Sequence, residues 1–178
     1  GIQAIGAISV GLYPTNPASE VEYLIGHSES KILFAEDQEQ VDKALEVIGE
    51  LPGLKKIIYF EPRGITNYDN PLLMTWDEFL DIGKEEFEKN PNFVGEKLDL
   101  IDPDDIAIMV YTSGTTGPPK GSMITHANLE WVGTNIMNFN IMKNVNTEQQ
   151  EFVSFLPLCH IFGRLIDLVL GSHLLATI

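Results

Sequence analysis

Between Tyr111 and Gly121 the chain reads Y-T-S-G-T-T-G-P-P-K-G, and no other stretch concentrates so much anion-binding chemistry in so few residues. Thr112, Ser113, Thr115 and Thr116 bring four hydroxyls within five positions. Gly114 and Gly117 let the backbone approach a ligand closely, and Lys120 adds a positive charge just past the rigid Pro118-Pro119 pair. Successive backbone N–H groups in such a turn form a concavity for an anion, while hydroxyls donate to phosphate oxygens and the ammonium acts as a point charge. A plain polar turn draws on the same residue types. It has no use for so many hydroxyls with a lysine at fixed spacing, so the stretch reads as a nucleotide-phosphate loop.

Two other phosphate loops can be tested against these letters, and both fail. A G-x-x-x-x-G-K-[ST] loop needs glycine five residues after its first, where Gly114 is followed by Pro119 and Gly117 by Ser122. A G-x-G-x-x-G fingerprint occurs nowhere in the chain. Those designs also begin a helix at the phosphate, whereas Ser122-Met123-Ile124-Thr125 is short and ends in β-formers. The expectation is strand, loop, strand, with a helix opening later on Thr125 as its N-cap.

A second chemical stretch runs from Phe155 to Gly163, F-L-P-L-C-H-I-F-G. Cys159 beside His160 resembles a nucleophile with its base, but neighbours on an extended chain point to opposite faces and do not form a dyad easily. Taken alone, His160 is more often a satisfied core histidine than a catalytic group. Arg164 is expected to do no more than form a local salt bridge. His27, His126, His160 and His173 show no ligand spacing for a metal.

The elements that carry these stretches follow from periodicity. Ala7 to Tyr13 is strand-like, and Asn16-Pro17 opens a helix with Asn16 as cap, Pro17 at the first helical position and Val21, Leu24 and Ile25 on one face. Lys31 to Ala35 reads as a buried strand. An acidic helix follows from about Gln38, with Val41, Ala44, Leu45 and Ile48 at helical spacing, until Gly49 and Pro52 stop it. Ile57 to Phe60 makes a third strand. Strands alternating with helices imply parallel pairing and right-handed crossovers, a Rossmann-like layered α/β fold with a mostly parallel sheet flanked by helices. Residues 1–60 thus form a βαβαβ-like unit, 61–104 an insert, and 105–178 the segment that holds the phosphate loop and the histidine stretch. Within the insert, Thr75 and Glu78 have capping-box spacing ahead of a helix from Trp76, and the tail G-K-E-E-F-E-K-N-P reads as a solvated face. Asp105 to Tyr111 is apolar enough for a strand covered on both faces that holds the loop rigidly. Leu129, Val132, Ile136 and Phe139 give the next helix an apolar face, and Trp131 is read as core rather than as a lid over a ligand.

Composition narrows the function. The chain has 178 residues, 44% hydrophobic and 21% charged, enough for one real core. With 26 acidic against 11 basic residues and a net charge of −15, it lacks the basic footprint of a nucleic-acid binder. The same charge repels ATP unless a divalent cation such as Mg²⁺ accompanies the phosphates. One cysteine makes no internal disulfide, which suits a reducing cytoplasm. No run of about 18 apolar residues suggests a membrane span. The sequence starts without Met, lacks a charged n-region of a signal peptide and ends in the apolar run L-L-A-T-I, so it is expected to be an excerpt of a longer protein.

Y-T-S-G-T-T-G-P-P-K-G resembles the signature loop of the adenylate-forming, AMP-binding ligases, the superfamily of acyl-CoA synthetases, luciferases and peptide-synthetase adenylation domains. S-M-I-T-H-A-N-L, from Ser122 to Leu129, is similar to the family's next strand and helix start, although Ser122 stands where a small apolar residue is more usual. L-Y-P-T-N-P-A-S-E-V-E-Y-L-I is similar to the segment that precedes the loop, and P-L-C-H-I-F-G to the family's P-L-x-H-x-x-G motif. M-T-W-D-E-F-L-D-I-G-K is similar to an insert of long-chain fatty acyl-CoA synthetases, which favours fatty acids over aryl acids or amino acids.

The resemblance covers nearly all of the chain and implies an incomplete AMP-binding N-terminal domain over residues 1–178, with the acyl site carried by its last segment. It implies an acid–thiol ligase that joins a fatty acid to AMP at the expense of ATP and then to coenzyme A. Thr112, Ser113, Gly114, Thr115, Thr116, Gly117 and Lys120 would hold the nucleotide phosphates, Thr112 would also touch Mg²⁺, and His160 would lie beside the acyl carboxylate as the catalytic histidine. Alternatives are another carboxylate–CoA ligase of the superfamily or a non-catalytic nucleotide-binding fragment. The partners expected are fatty acid, ATP and coenzyme A, with no nucleic acid and no membrane span, peripheral membrane contact being left open. The family's Y-G-x-T-E glutamate, T-G-D ribose segment and C-terminal lysine are missing from these residues, so this stretch alone is not expected to complete the reaction.

Overall fold

The alternation of short apolar runs with amphipathic ones becomes a mixed α/β fold in the computed structural model, which describes residues 1–112, 117–136 and 154–170. The chain divides into two units, Pro14–Glu96 and a second that joins Gly1–Tyr13 to the chain from Lys97 onward.

In the unit Pro14–Glu96, helix α1 spans Ala18–His27 and buries Val21, Leu24 and Ile25 on one face. Its cap differs from expectation. Pro17, extended at ψ 163°, occupies the N-cap, and Asn16 is buried one residue earlier without capping the helix. The ring fixes the proline at φ −70°, and its carbonyl accepts from the Glu20 and Val21 N–H groups at 3.0 and 3.1 Å, which starts the helix without any side-chain cap. Strand β2 is Ile32–Ala35, and helix α2 spans Gln38–Glu46 behind Asp37, whose carboxylate accepts from the Gln40 N–H at 3.2 Å. Val41 and Ala44 of α2 are wholly buried.

Strand β3, Lys56–Tyr59, lies between β2 and β4, Leu73–Thr75, and both pairings are parallel. Ile57 and Ile58 point to opposite faces of β3 yet are 0% and 1% exposed, so both faces of this central strand are covered, as a parallel sheet requires. Strand β4 escaped sequence reading because three residues are too few to show a period. Immediately after it, the capping box forms as its spacing predicts: the Thr75 hydroxyl accepts from the Glu78 N–H at 3.1 Å and the Glu78 carboxylate from the Thr75 N–H at 2.8 Å. Helix α3, Trp76–Lys89, packs Trp76 and Phe79 edge-on against Phe34 and then runs into solvent. A short helix α4, Phe93–Leu98, comes next.

In the other unit, strand β1 is only Ser9–Val10, and it pairs in parallel with β5, Ile106–Thr112. It does not pair with β2, so within residues 1–60 the parallel pairing runs from β2 to β3 alone. β5 in turn pairs antiparallel with β6, Lys120–Thr125. Ala107, Ile108 and Val110 form the buried centre, with Ile124, Leu129 and Ile161 packed on it. Full burial of side chains the size of Ile108 and Val110 contributes about 1.5–3 kcal/mol each. Helix α5, His126–Ile136, opens on Thr125, whose hydroxyl accepts from the Asn128 N–H at 3.2 Å while the Asn128 side chain accepts from the Thr125 N–H at 3.2 Å. Trp131 of α5 is 66% exposed and not core: Leu129, Val132 and Gly133 face inward, which leaves the Trp131 position pointing to solvent. Phe139 lies outside the described residues. Among the described residues, no helix is long and apolar enough to cross a membrane.

Candidate active site

The phosphate stretch is the loop of the β5–β6 hairpin. Thr112 and Lys120 are direct cross-strand partners, as are Tyr111 and Gly121, so the last residue of β5 and the first of β6 stand opposite each other at the loop's mouth. Both Thr112 and Lys120 are exposed there. Gly117 holds φ +89° with open space where a Cβ would be, so its conformation and not crowding calls for glycine. At Gly121 the reason is space: a Cβ would come within 2.9 Å of the Met109 sulfur and 3.2 Å of the Tyr111 ring. Ser122 is exposed. Ser113, Gly114, Thr115 and Thr116 lie outside the described residues.

The histidine stretch builds a tight turn on the same unit. His160 is the N-cap of one α-turn, Ile161–Gly163, and its Nδ1 accepts from the Phe162 N–H at 3.2 Å. An accepting Nδ1 carries no proton, so a neutral imidazole here holds its proton on Nε2. The Phe162 ring stacks at 6.2 Å. Gly163 sits where a Cβ would be 2.5 Å from the Pro157 carbonyl, which accounts for the glycine three residues after the histidine. The chain continues as a π-helical segment, Arg164–Leu170.

Arg164, expected only to salt-bridge locally, does something else. It is 8% exposed, donates from Nε to the Leu158 carbonyl at 2.5 Å and from Nη1 to the Ser9 hydroxyl at 2.6 Å, and so ties the histidine turn to β1. The ion pairs formed among the described residues do not include it. Burial lowers its pKa, with the neighbouring Cys159 acting in the opposite direction. The contact is close: a Cβ on Gly11, just past β1, would lie 2.7 Å from the Cys159 Cα and 2.8 Å from the Arg164 Nη2. No sequence signal announces this role, because Ser9 and Arg164 are 155 residues apart.

Cys159 is no nucleophile partner for His160. Burial pushes its thiol pKa up, outweighing the opposing pull of backbone hydrogen bonds and Arg164. A thiol kept protonated is a poor nucleophile. Among the described residues, no three His, Cys, Asp or Glu side chains gather as a metal group. His27 lies beside the Tyr23 ring at 5.3 Å, His126 opens α5, and His173 is outside the described residues.

Topology brings the two stretches to one end of the sheet. Val10 pairs with Met109, so Gly11, which touches the histidine turn, lies level with Val110, and Thr112 ends β5 two residues further on, about 7 Å along the strand. Ile161, next to His160, packs on the Ala107, Ile108 and Val110 centre that supports the hairpin. Both stretches therefore lie past the carboxyl ends of neighbouring parallel strands, where open α/β sheets place their ligands.

Residues 1–177 match the family described as AMP-binding enzyme. The chain is 35% identical over 167 residues to the long-chain-fatty-acid–CoA ligase ACSBG2 of Xenopus laevis, covering 92% of this chain and 21% of that protein. It is 32% identical over 174 residues to the ligase of the same name from Homo sapiens, covering 94% of this chain and 25% of that protein. The chain thus spans about a fifth to a quarter of the length of these relatives. Among solved structures, an anthranilate CoA ligase in complex with anthranoyl-AMP superposes with TM-score 0.72 at 21% identity, over 99% of this chain and 30% of that one. ATP-bound MatB from Rhodopseudomonas palustris superposes with TM-score 0.64 at 17% identity, over 97% of this chain and 30% of that one. By the match of its sequence over nearly its whole length, the chain belongs to the AMP-binding enzyme family.

Proposed function

We propose that the intact protein is a long-chain fatty acid–CoA ligase and that this chain is part of its nucleotide-binding domain. The observation that carries the reading is the hairpin register: Thr112 and Lys120 face each other at the mouth of a loop rich in hydroxyls and glycine, on the same unit as the histidine turn. The names of the relatives support a fatty acid as the acid. A single cysteine suits the reducing cytoplasm, which we take as its location.

A carboxylate is a poor electrophile. In the first step its oxygen attacks the α-phosphorus of ATP, forming an acyl–O–P bond as the bond to pyrophosphate breaks. In the second, the coenzyme A sulfur attacks the acyl carbon, AMP leaves with the bonding electrons, and the thiol proton is lost. Phosphate chemistry of this kind depends mostly on positioning and charge stabilisation. Thr112, Ser113, Thr115 and Thr116 donate hydroxyl hydrogen bonds to the departing phosphates, the backbone N–H groups at Gly114 and Gly117 close around them, and Lys120 balances their charge. The exposed Thr112 hydroxyl is an oxygen donor that would suit a hard cation. Mg²⁺ held there would supply neutralisation of the phosphate charge. The Phe162 N–H occupies His160 Nδ1, which leaves Nε2 as the nitrogen that would serve the acyl carboxylate in this reading.

In the full-length protein, Thr115→Ala and Thr116→Ala should each lower palmitate-dependent ATP–pyrophosphate exchange by about 10²–10³. Unchanged exchange in both variants would remove the loop from the reaction.

A further inference from the structure

We propose that Arg164 is the positioning residue for His160, fixing the orientation of the imidazole through a two-point clamp between the histidine turn and β1. This rests on the reading of His160 as the group beside the acyl carboxylate. The guanidinium engages two acceptors that belong to different segments: the Leu158 carbonyl, two residues before His160, and the Ser9 hydroxyl on β1. A planar fork with Nε and Nη1 diverging meets both at once, whereas a lysine ammonium on its flexible stem meets one. The turn has a second tie to the clamp, since the Arg164 N–H donates to the His160 carbonyl at 3.2 Å. That backbone bond closes the turn whatever the side chain, so the contribution specific to arginine is the pair of side-chain bonds.

Two features separate this from a plain packing role. First, Arg164 is buried against neutral acceptors, at a position where a hydrophobic side chain of similar volume would avoid the desolvation that burial of a charge entails. Second, the clamp closes at a glycine. Gly11 admits the Cys159 backbone and the Arg164 guanidinium to a distance that any side chain would forbid, so the two hydrogen bonds of Arg164 depend on this close approach. Displacement of a positioned group by about 1 Å costs about 10²-fold in rate, and a clamp made of two hydrogen bonds and a close backbone contact is what limits such displacement.

The test is a double-mutant cycle in the full-length protein, with Arg164→Lys, Ser9→Ala and His160→Ala, read by palmitate-dependent ATP–pyrophosphate exchange and by ¹⁵N imidazole resonances of histidine-labelled protein. Arg164→Lys should lower kcat by about 10–10²-fold with the KM for ATP unchanged, and Ser9→Ala should lower it several-fold. Neither should lower it further in the His160→Ala background, because residues acting through one group are not additive. The His160 resonances, identified by their loss in His160→Ala, should shift from a proton fixed on Nε2 toward a mixture of both tautomers in Arg164→Lys. Losses that multiply in the double variants, or His160 resonances unchanged in both Arg164→Lys and Ser9→Ala, would overturn the proposal. If the wild type shows no acid-dependent exchange, the ligase reading fails, and the imidazole resonances alone decide whether Arg164 orients His160.

Discussion

His160 shows how much one residue's chemistry depends on its immediate turn. From its neighbours in sequence it looks like half of a thiol–imidazole pair, yet the turn uses its Nδ1 as a cap and leaves Cys159 in a half-buried place where the thiol is held above its ordinary pKa. A raised thiol pKa means less thiolate at any given pH, and alkylation proceeds through the thiolate. Cys159 should therefore react with iodoacetamide at pH 8 several times more slowly than an unperturbed cysteine in the urea-unfolded chain, and the gap should narrow above the thiol's raised pKa. Equal rates in folded and unfolded protein would contradict the burial that the fold imposes. The histidine itself was legible as a motif, because its type and its spacing to Gly163 are local. The role of Arg164 was not, since its long-range partner Ser9 meets it only through the β1–β5 pairing and the close approach at Gly11.

At the scale of single elements, legibility tracks length and local chemistry. Helix α3 announces itself through Thr75 and Glu78, and the reciprocal hydrogen bonds form as expected. Strand β5 is a seven-residue apolar run and is equally plain, while β1 and β4, with two and three residues, draw their identity from their partners. Trp131 was misjudged for a related reason: aromatic content suggests core, but only the phase of α5 decides which side faces Val110 and Ile108. The α3 cap carries its own prediction. The Thr75 backbone N–H, and then its hydroxyl, stabilise the Glu78 carboxylate and hold its pKa below the ordinary 4.5. A carboxyl with a lowered folded pKa stabilises the fold fully above its unfolded value, and that contribution disappears as pH falls through the folded one. Thr75→Ala should thus cost about 0.5–2 kcal/mol near neutral pH, with a smaller difference from wild type at pH values well below 4.5. Glu78→Gln, which keeps an acceptor at the same place, should flatten the acid limb while retaining much of the cap. Urea midpoints measured across pH 3–7 check both, and an acid limb left unchanged by Glu78→Gln would contradict the assigned role of the carboxylate.

For the molecule as a whole, the local pattern of strands and helices was readable but its division was not. Periodicity places a strand at 7–13 ahead of two more and invites a single βαβαβ-like unit, yet the first strand crosses to β5 and leaves β2, β3 and β4 as a separate sheet. Strand order is a long-range property, and the residues of β1 carry no mark that distinguishes one parallel partner from another. That crossing matters for function, because it is what brings the histidine turn and the phosphate hairpin to the carboxyl ends of adjacent strands. With a net charge of −15 the chain does not attract polyanions by its overall field, so on the proposed reading a nucleotide would depend on the local donors of the hairpin and on an accompanying cation. The ligase reading, and with it the roles given to Thr112, Lys120 and His160, is most directly tested by ATP–pyrophosphate exchange on the full-length protein with and without a long-chain fatty acid. Exchange that appears only when the acid is added, and that stops when Mg²⁺ is chelated, is the predicted result. ATP hydrolysis at the same rate without any acid, with no exchange, would contradict it and leave a nucleotide hydrolase in its place.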